Sequence, residues 1–209
     1  MAEATYHRGE ETLAIINSEE LFGFMMQRYS FKQAWYVPYS LNSRLDKLLL
    51  PTSKEKIILC YGRPGTARNC FHILAEGIRL WQRANPTAAE EYEVVFAGEP
   101  FDPSRIGFLR NARVAGKMSL EDYADLLNRS AIGISLMISP HPSYPPLEMA
   151  NAGCLTITNV YEGKNLEKRS KNVCSIPALS PQTLAAALSK LIPDAAIGEK
   201  PELRTVRNL

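Results

Sequence analysis

"KIILCYGRPGTARNCFHILAEGIRLWQRANPTAAEEYEVVFAG", Lys56 to Gly98, carries a strand, a turn, a helix and a second strand in one stretch. "KIILCYG" is a short apolar run ended by Gly62, and "YEVVFAG" is a second one ended by Gly98. Strands buried on both faces read as such runs rather than as an alternation. Between them, "NCFHILAEGIRLWQRA" repeats apolar residues at helical spacing. Two strands joined through a helix lie parallel, because parallel neighbours need a long crossover.

The same alternation continues downstream. "ARVAG" ends in Gly116, and "SLEDYADLLNRS" is a helix with Ser119 as its N-cap. "AIGISLMIS" is a strand, "PLEMANAG" a helix closed by Gly153, and "CLTITN" a strand. "NVCSIPAL" is the last strand, and "SPQTLAAALSKLI" the last helix, with Ser180 as cap and Pro181 at its first position. The pattern predicts an α/β fold, a doubly wound Rossmann-like parallel sheet over residues 56–192. Upstream, "LAIIN", "SEELFGFMMQRY" and "AWYVPYS" read as strand, helix and strand. Residues 1–40 are therefore expected to be the end of a preceding α/β domain, the chain being half of a two-domain architecture. Residues 41–55, broken by Pro51, read as a linker, and 193–209 as a loose polar tail.

Composition narrows the function. Of 209 residues, 45% are apolar and 22% charged, as in ordinary globular domains. The formal net charge of +2 gives no broad footprint for nucleic acid. Cys60, Cys70, Cys154 and Cys174 show no C-x-x-C spacing and read as reduced core thiols, hence a cytoplasmic location. His7, His72 and His141 are scattered, so no metal site is expected. "MAEATYHRGEETLAII" lacks a basic start followed by an apolar stretch, so no signal peptide is expected. No apolar run approaches the ~18 residues of a spanning helix. Peripheral contact with the inner membrane face stays compatible with this composition.

In a doubly wound sheet, ligands bind outside the carboxyl ends of the strands. The loops after Gly62, Gly98, Gly116 and Ser139 are therefore the candidates. In "YGRPGTARN", Arg63 and Arg68 flank a Pro-Gly turn. A guanidinium fork suits phosphate, and a solvent-facing turn suits the same residues equally well. In "SPHPSYPPLEMANAG", Pro142, Pro145 and Pro146 remove backbone donors. This leaves chiefly the N–H groups of Ser143 and Tyr144, with Leu147, beside a helix start that favours anions. Glu148 has two readings, a carboxylate completing the helix dipole or an acceptor for vicinal hydroxyls. The backbone near Lys117 and Met118 could meet the edge of a nucleobase. Lys117 itself reads as a solvated charge, and Tyr123 as core.

Taken in order, these pieces resemble the carboxyl-terminal, donor-binding domain of a GT-B retaining glycosyltransferase of group 1. The shared pattern is Gly62 and Arg63 at the first strand end, Arg68 five residues on, Gly98, Gly116 before a capped helix, and Ser139, Glu148, Met149 and Gly153 before "CLTITN". "YGRP" with "HPSYPPLEMA" is similar to bacterial rhamnosyltransferases of the WsaF type, which use dTDP-L-rhamnose. One position departs from the wider family, whose E-x7-E motif has its first Glu where this chain has Pro140. The resemblance implies a nucleotide-diphosphate sugar donor and a glycan acceptor, with retention at the anomeric carbon. Arg63 and Arg68 would neutralise the diphosphate, Ser143 and Tyr144 would assist, and Glu148 would hold the ribose. No cofactor is implied, and the catalytic base stays unassigned. A rival expectation is a non-catalytic nucleotide- or partner-binding module. A third, a GT-B-like epimerase, lacks the acidic catalytic residues it would need.

Overall fold

Six strands hydrogen-bond in the order β5-β4-β3-β6-β7-β8, every neighbour parallel. They are β3 (Glu55–Gly62), β4 (Glu93–Gly98), β5 (Ala112–Gly116), β6 (Ser130–Ile134), β7 (Leu155–Asn159) and β8 (Val173–Ile176). The structure is a computed structural model and describes residues 11–38, 40–195 and 197–198. The chain enters at the centre and steps outward through β4 to β5. It then crosses back to β6 and steps outward the other way. The direction of winding reverses between β3 and β6, which opens a crevice at their carboxyl ends.

Helices cover both faces. On one, α3 (Phe71–Ala84) and α7 (Pro181–Leu191) bury Phe71, Leu74, Ile78, Trp81, Leu184 and Leu188 against Ile58, Cys60 and Phe96. On the other, α5 (Leu120–Arg129) and α6 (Pro145–Asn151) bury Ala124, Leu127 and Met149 against Leu59, Val95 and Ala97. A short helix, α4 (Pro86–Glu91), leads into β4.

Two expectations change. The linker over 41–55 contains a helix, α2 (Ser43–Leu48), whose N-terminus is capped by the Asn42 side chain. Leu45 and the following Leu49 are buried in the sheet's second core. Close behind it, the buried Lys54 ammonium donates to the carbonyls of Leu127, Asn128 and Ala152. The strand expected over 131–139 leaves the ladder after Ile134. Beyond that point the Asn159 side chain accepts from the Met137 N–H at 2.7 Å and donates to its carbonyl at 3.2 Å. A side-chain amide thus stands in for the missing backbone partner.

At the amino-terminal end, β1 (Leu13–Ile16) and β2 (Gln33–Tyr36) pair in parallel through α1 (Glu19–Arg28). Leu13, Ile15 and Trp35 of this two-stranded piece are exposed. The polar tail expected at 193–209 falls largely outside the described residues. His7 and the amino-terminal stretch read for a signal peptide lie there in whole or in part.

Candidate functional site

At the carboxyl ends of β3, β4 and β5, beside the start of α6, lies a cleft of about 450 Å³. Tyr61, Gly98, Gly116, Met118, Tyr123 and Glu148 are among its lining residues. Two glycines shape its floor. Gly98 has φ 136°, and a Cβ there would meet the Gly62 carbonyl oxygen at 2.8 Å. Gly116 has φ 66°, a left-handed turn that releases the chain from β5 toward α5. Ser119 then caps α5 by accepting from the Asp122 N–H at 3.0 Å.

That cap places Tyr123 in the first turns of α5, at the cleft. Its hydroxyl donates to Glu148 Oε2 at 3.0 Å. Glu148 itself is set by α6. The Leu147 and Glu148 N–H groups both bond the Tyr144 carbonyl at 3.0 Å, so the helix is closed from its first residue. Met149 packs on β6 where Gly133 has no side chain; a Cβ there would lie 2.8–3.0 Å from Met149 atoms. With Leu147, Met149 and Ala150 buried, Glu148 is the residue of the turn left to face the cleft. Burial raises the Glu148 pKa above the ordinary carboxyl value, and the Tyr123 hydrogen bond partly opposes that rise. Burial, then the nearby carboxylate, pushes the Tyr123 hydroxyl well up, so it is a neutral donor.

The other residues singled out from the sequence take varied positions. Met118 lines the cleft, and exposed Lys117 lines it too. Gly62 is buried; a Cβ there would meet the Phe96 ring at 3.0 Å, so its lack of a side chain serves packing. Arg63 stands beside Gly98 and pairs with Glu99 at 3.6 Å, half-exposed. Arg68 is exposed on a short 3-10 turn, and its carbonyl accepts from the Ile138 N–H at 2.9 Å. This bond ties the two-arginine turn to the proline loop. Tyr144 lines the cleft, and its hydroxyl accepts from the Asn17 amide.

Ser143 is buried in a left-handed conformation, φ 69°, and its N–H donates to His141 Nδ1 at 3.0 Å. The His141 ring also stands edge-on to Tyr144. An anion meeting the Ser143 N–H would first have to displace that ring. The Leu147 N–H is likewise spent within the helix. Burial, then Lys164 and Arg68, lowers the His141 pKa, so the ring is held as a neutral acceptor. Lys164 is fully buried, bonds the Met137 carbonyl at 2.6 Å, and has its pKa pushed down by burial to about 8.

Sequence reading placed Tyr123 in the core and did not single out Tyr61. Tyr123 sits on the apolar stripe of α5, and periodicity cannot tell a core tyrosine from one whose hydroxyl reaches a cleft. The four cysteines are free thiols. Among the described residues no group of three His, Cys, Asp or Glu is arranged to hold a metal ion, and no helix is long and apolar enough to cross a membrane.

Comparison with known proteins gives concordant matches. The family model described as WsaF, C-terminal domain, matches residues 56–189. The O-antigen biosynthesis protein RfbC of Myxococcus xanthus is 29% identical over 160 residues, covering 76% of this chain and 12% of that protein. Among solved structures, TarM of S. aureus superposes with a TM-score of 0.72 at 10% identity, over 95% of this chain and 40% of that one. Sucrose-phosphate synthase of Thermosynechococcus elongatus does so with a TM-score of 0.62 at 16% identity, over 90% and 51%. Pneumococcal O-GlcNAc transferase GtfA, solved in complex with UDP and GlcNAc, gives 0.60 at 11% identity, over 90% and 40%. The chain thus spans about half or less of each of these relatives. At these identities the structural matches establish the fold, that of the carboxyl-terminal Rossmann-like half of GT-B enzymes.

Proposed function

The chain belongs to the WsaF C-terminal domain family, and from that premise we propose that it is the donor-binding part of a retaining GT-B glycosyltransferase. Its reaction would transfer rhamnose from dTDP-rhamnose to a hydroxyl of a glycan acceptor in cell-surface polysaccharide synthesis. The observation that carries this reading is the half-buried Glu148 carboxylate facing an apolar-walled cleft at the strand ends. A carboxylate held there can accept a sugar hydroxyl where water competes weakly. The backbone from Gly116 to Met118 would meet the base, with Tyr61 and Met118 as apolar walls.

Arg63 and Arg68, on the turn after β3, would take the diphosphate. Charge neutralised at a leaving group stabilises the transition state without a metal ion, and such terms are often the largest in catalysis. The Ser143 N–H would contribute only after His141 moves, so the arginines carry more of this role than the helix terminus does. Pro140, which stands where the wider family has a carboxylate beside the donor sugar, agrees with a 6-deoxy sugar or another altered donor. The relative in O-antigen biosynthesis supports a surface-glycan acceptor.

Calorimetric titration of the 209-residue chain with dTDP-rhamnose, UDP-glucose and GDP-mannose tests the reading. Preferential binding of dTDP-rhamnose, weakened by Glu148→Gln, is expected. Binding of none of the three would overturn it. Binding without transfer in the presence of a glycan acceptor and the rest of the enzyme would favour a non-catalytic module.

A further inference from the structure

One wall of the cleft is held from outside the six-stranded sheet. Asn17 lies between the carboxyl end of β1 and Ser18, the cap of α1. Its backbone neighbours are fixed on both sides. The Ile16 carbonyl before it accepts from the Val37 N–H at 2.8 Å, and the buried Ser18 hydroxyl after it accepts from the Leu21 N–H at 3.1 Å. The start of α1 is in turn clamped to the loop beyond β7. Arg169 Nη2 stands 2.9 Å from Glu20 Oε1 and 3.1 Å from Glu19 Oε2, and the Arg169 and Glu20 side chains are largely buried. Arg169 is itself tied down, because its N–H donates at 2.9 Å to the carbonyl of the fully buried Leu166. From that seat the Asn17 amide donates to the Tyr144 hydroxyl, 127 residues away in the chain.

Tyr144 occupies the cap position of α6, is 38% exposed, and lines the cleft. A side chain so exposed at a loop end has several rotamers open to it. Here the His141 ring stands edge-on to it at 5.4 Å, and the Asn17 amide fixes the hydroxyl at the far end of the ring. We infer that Asn17 is a positioning residue of the nucleotide site: by holding the Tyr144 hydroxyl, it sets the tyrosine as a wall of the cleft before a ligand arrives. This rests on the reading that the cleft binds the donor nucleotide. Ordering a side chain opposes binding, and a side chain ordered in advance spares the ligand that cost. The site thus takes a residue from each of the two parallel sheets.

Calorimetric titration of the 209-residue chain with dTDP, run as a double-mutant cycle, tests this. Asn17→Ala should weaken dTDP binding about threefold to tenfold, the scale of one side chain left to be ordered by the ligand. Tyr144→Phe keeps the ring and removes the hydroxyl, and it should lose about as much. In the Tyr144→Phe background, Asn17→Ala should cost nothing further, because the two changes remove one interaction. If Asn17 served only to seat α1, its replacement would cost the same in both backgrounds. Unchanged affinity in Asn17→Ala, or equal losses in the two backgrounds, overturns this inference and leaves the donor-site reading standing. Unchanged affinity in Tyr144→Phe overturns it too, even if Asn17→Ala fails to fold. No binding of dTDP by the wild-type protein overturns both.

Discussion

Gly133→Ala is the substitution that most directly tests how the site is held. Gly133 lies next to the carboxyl end of β6, and the missing side chain is the seat of Met149. An added Cβ would stand 2.8 Å from Met149 Sδ, 2.9 Å from its Cβ and 3.0 Å from its Cγ. The sulfur can rotate away, but the Cβ moves only with the helix. To reach ordinary contact α6 must rise from the sheet by roughly half an ångström, and overpacking of this kind costs about 1–3 kcal/mol. For a domain of this size that is a fall of about 2–12 °C in melting temperature. Glu148 is the next residue on the helix, so it moves with Met149. Loss of its hydrogen-bond geometry would cost nucleotide binding about tenfold. Gly77→Ala is the control. Its Cβ would meet Leu184 at 2.6–3.0 Å, a clash at least as close, between α3 and α7 on the face of the sheet that α6 does not cover. Thermal unfolding and calorimetric titration with dTDP on both variants give the answer. Both should melt lower, and only Gly133→Ala should lose affinity beyond that of the wild type. Equal affinity losses in the two variants would refute the claim that the β6–α6 contact positions the carboxylate, and an unchanged melting point in Gly133→Ala would refute the packing argument itself.

Three further outcomes are expected. Because burial raises the folded-state pKa of Glu148 above 4.5, nucleotide affinity carried by its ionised form should fall as pH drops, starting above 4.5, and Glu148→Gln should abolish that acid limb in titrations run from pH 8 to pH 5. The folded state also holds this proton more tightly than the unfolded chain does, so the group's contribution to stability declines as pH rises through the same window, and Glu148→Gln should remove that decline. Lys164 has the opposite linkage: its folded pKa is lowered to about 8 from 10.5, the unfolded chain binds the proton more tightly between those values, and denaturant unfolding should show stability rising with pH across that interval, a slope absent in Lys164→Met. Arg68→Ala should weaken binding of dTDP about tenfold while leaving thymidine, which lacks the diphosphate, unaffected; equal losses for both ligands would place Arg68 away from the phosphates.

Much of the fold was legible because its signals are local. A parallel sheet buried on both faces makes apolar runs, and "KIILCYG", "YEVVFAG" and "CLTITN" each became a strand within a residue or two of the expected bounds. Ser119 and Ser180 cap the helices that follow them, as their spacing required. What escaped local reading depended on tertiary partners. The helix at Ser43–Leu48 is short and weakly patterned, and it gains its place by burying Leu45 beneath the sheet. The strand after Gly133 looked longer than it is, because its continuation pairs with the Asn159 side chain rather than with a strand.

The proline loop shows how the same limit acts at the site. Its prolines do remove donors, and from the sequence the remaining N–H groups looked available to a phosphate. The Ser143 N–H is spent on the His141 ring, which is a neutral acceptor because burial, then Lys164 and Arg68, residues distant in the chain, lower its pKa. The loop is anchored at its start by Asn159, Lys164 and the Arg68 carbonyl, and closed at its end by the first turn of α6. Its stiffness therefore fixes the direction of Glu148 and leaves few donors for an anion. A rigid loop before a helix and an acid in that helix's first turn are two parts of one device: the loop and the Met149 contact hold the carboxylate still, and the Tyr123 hydroxyl steadies one of its oxygens.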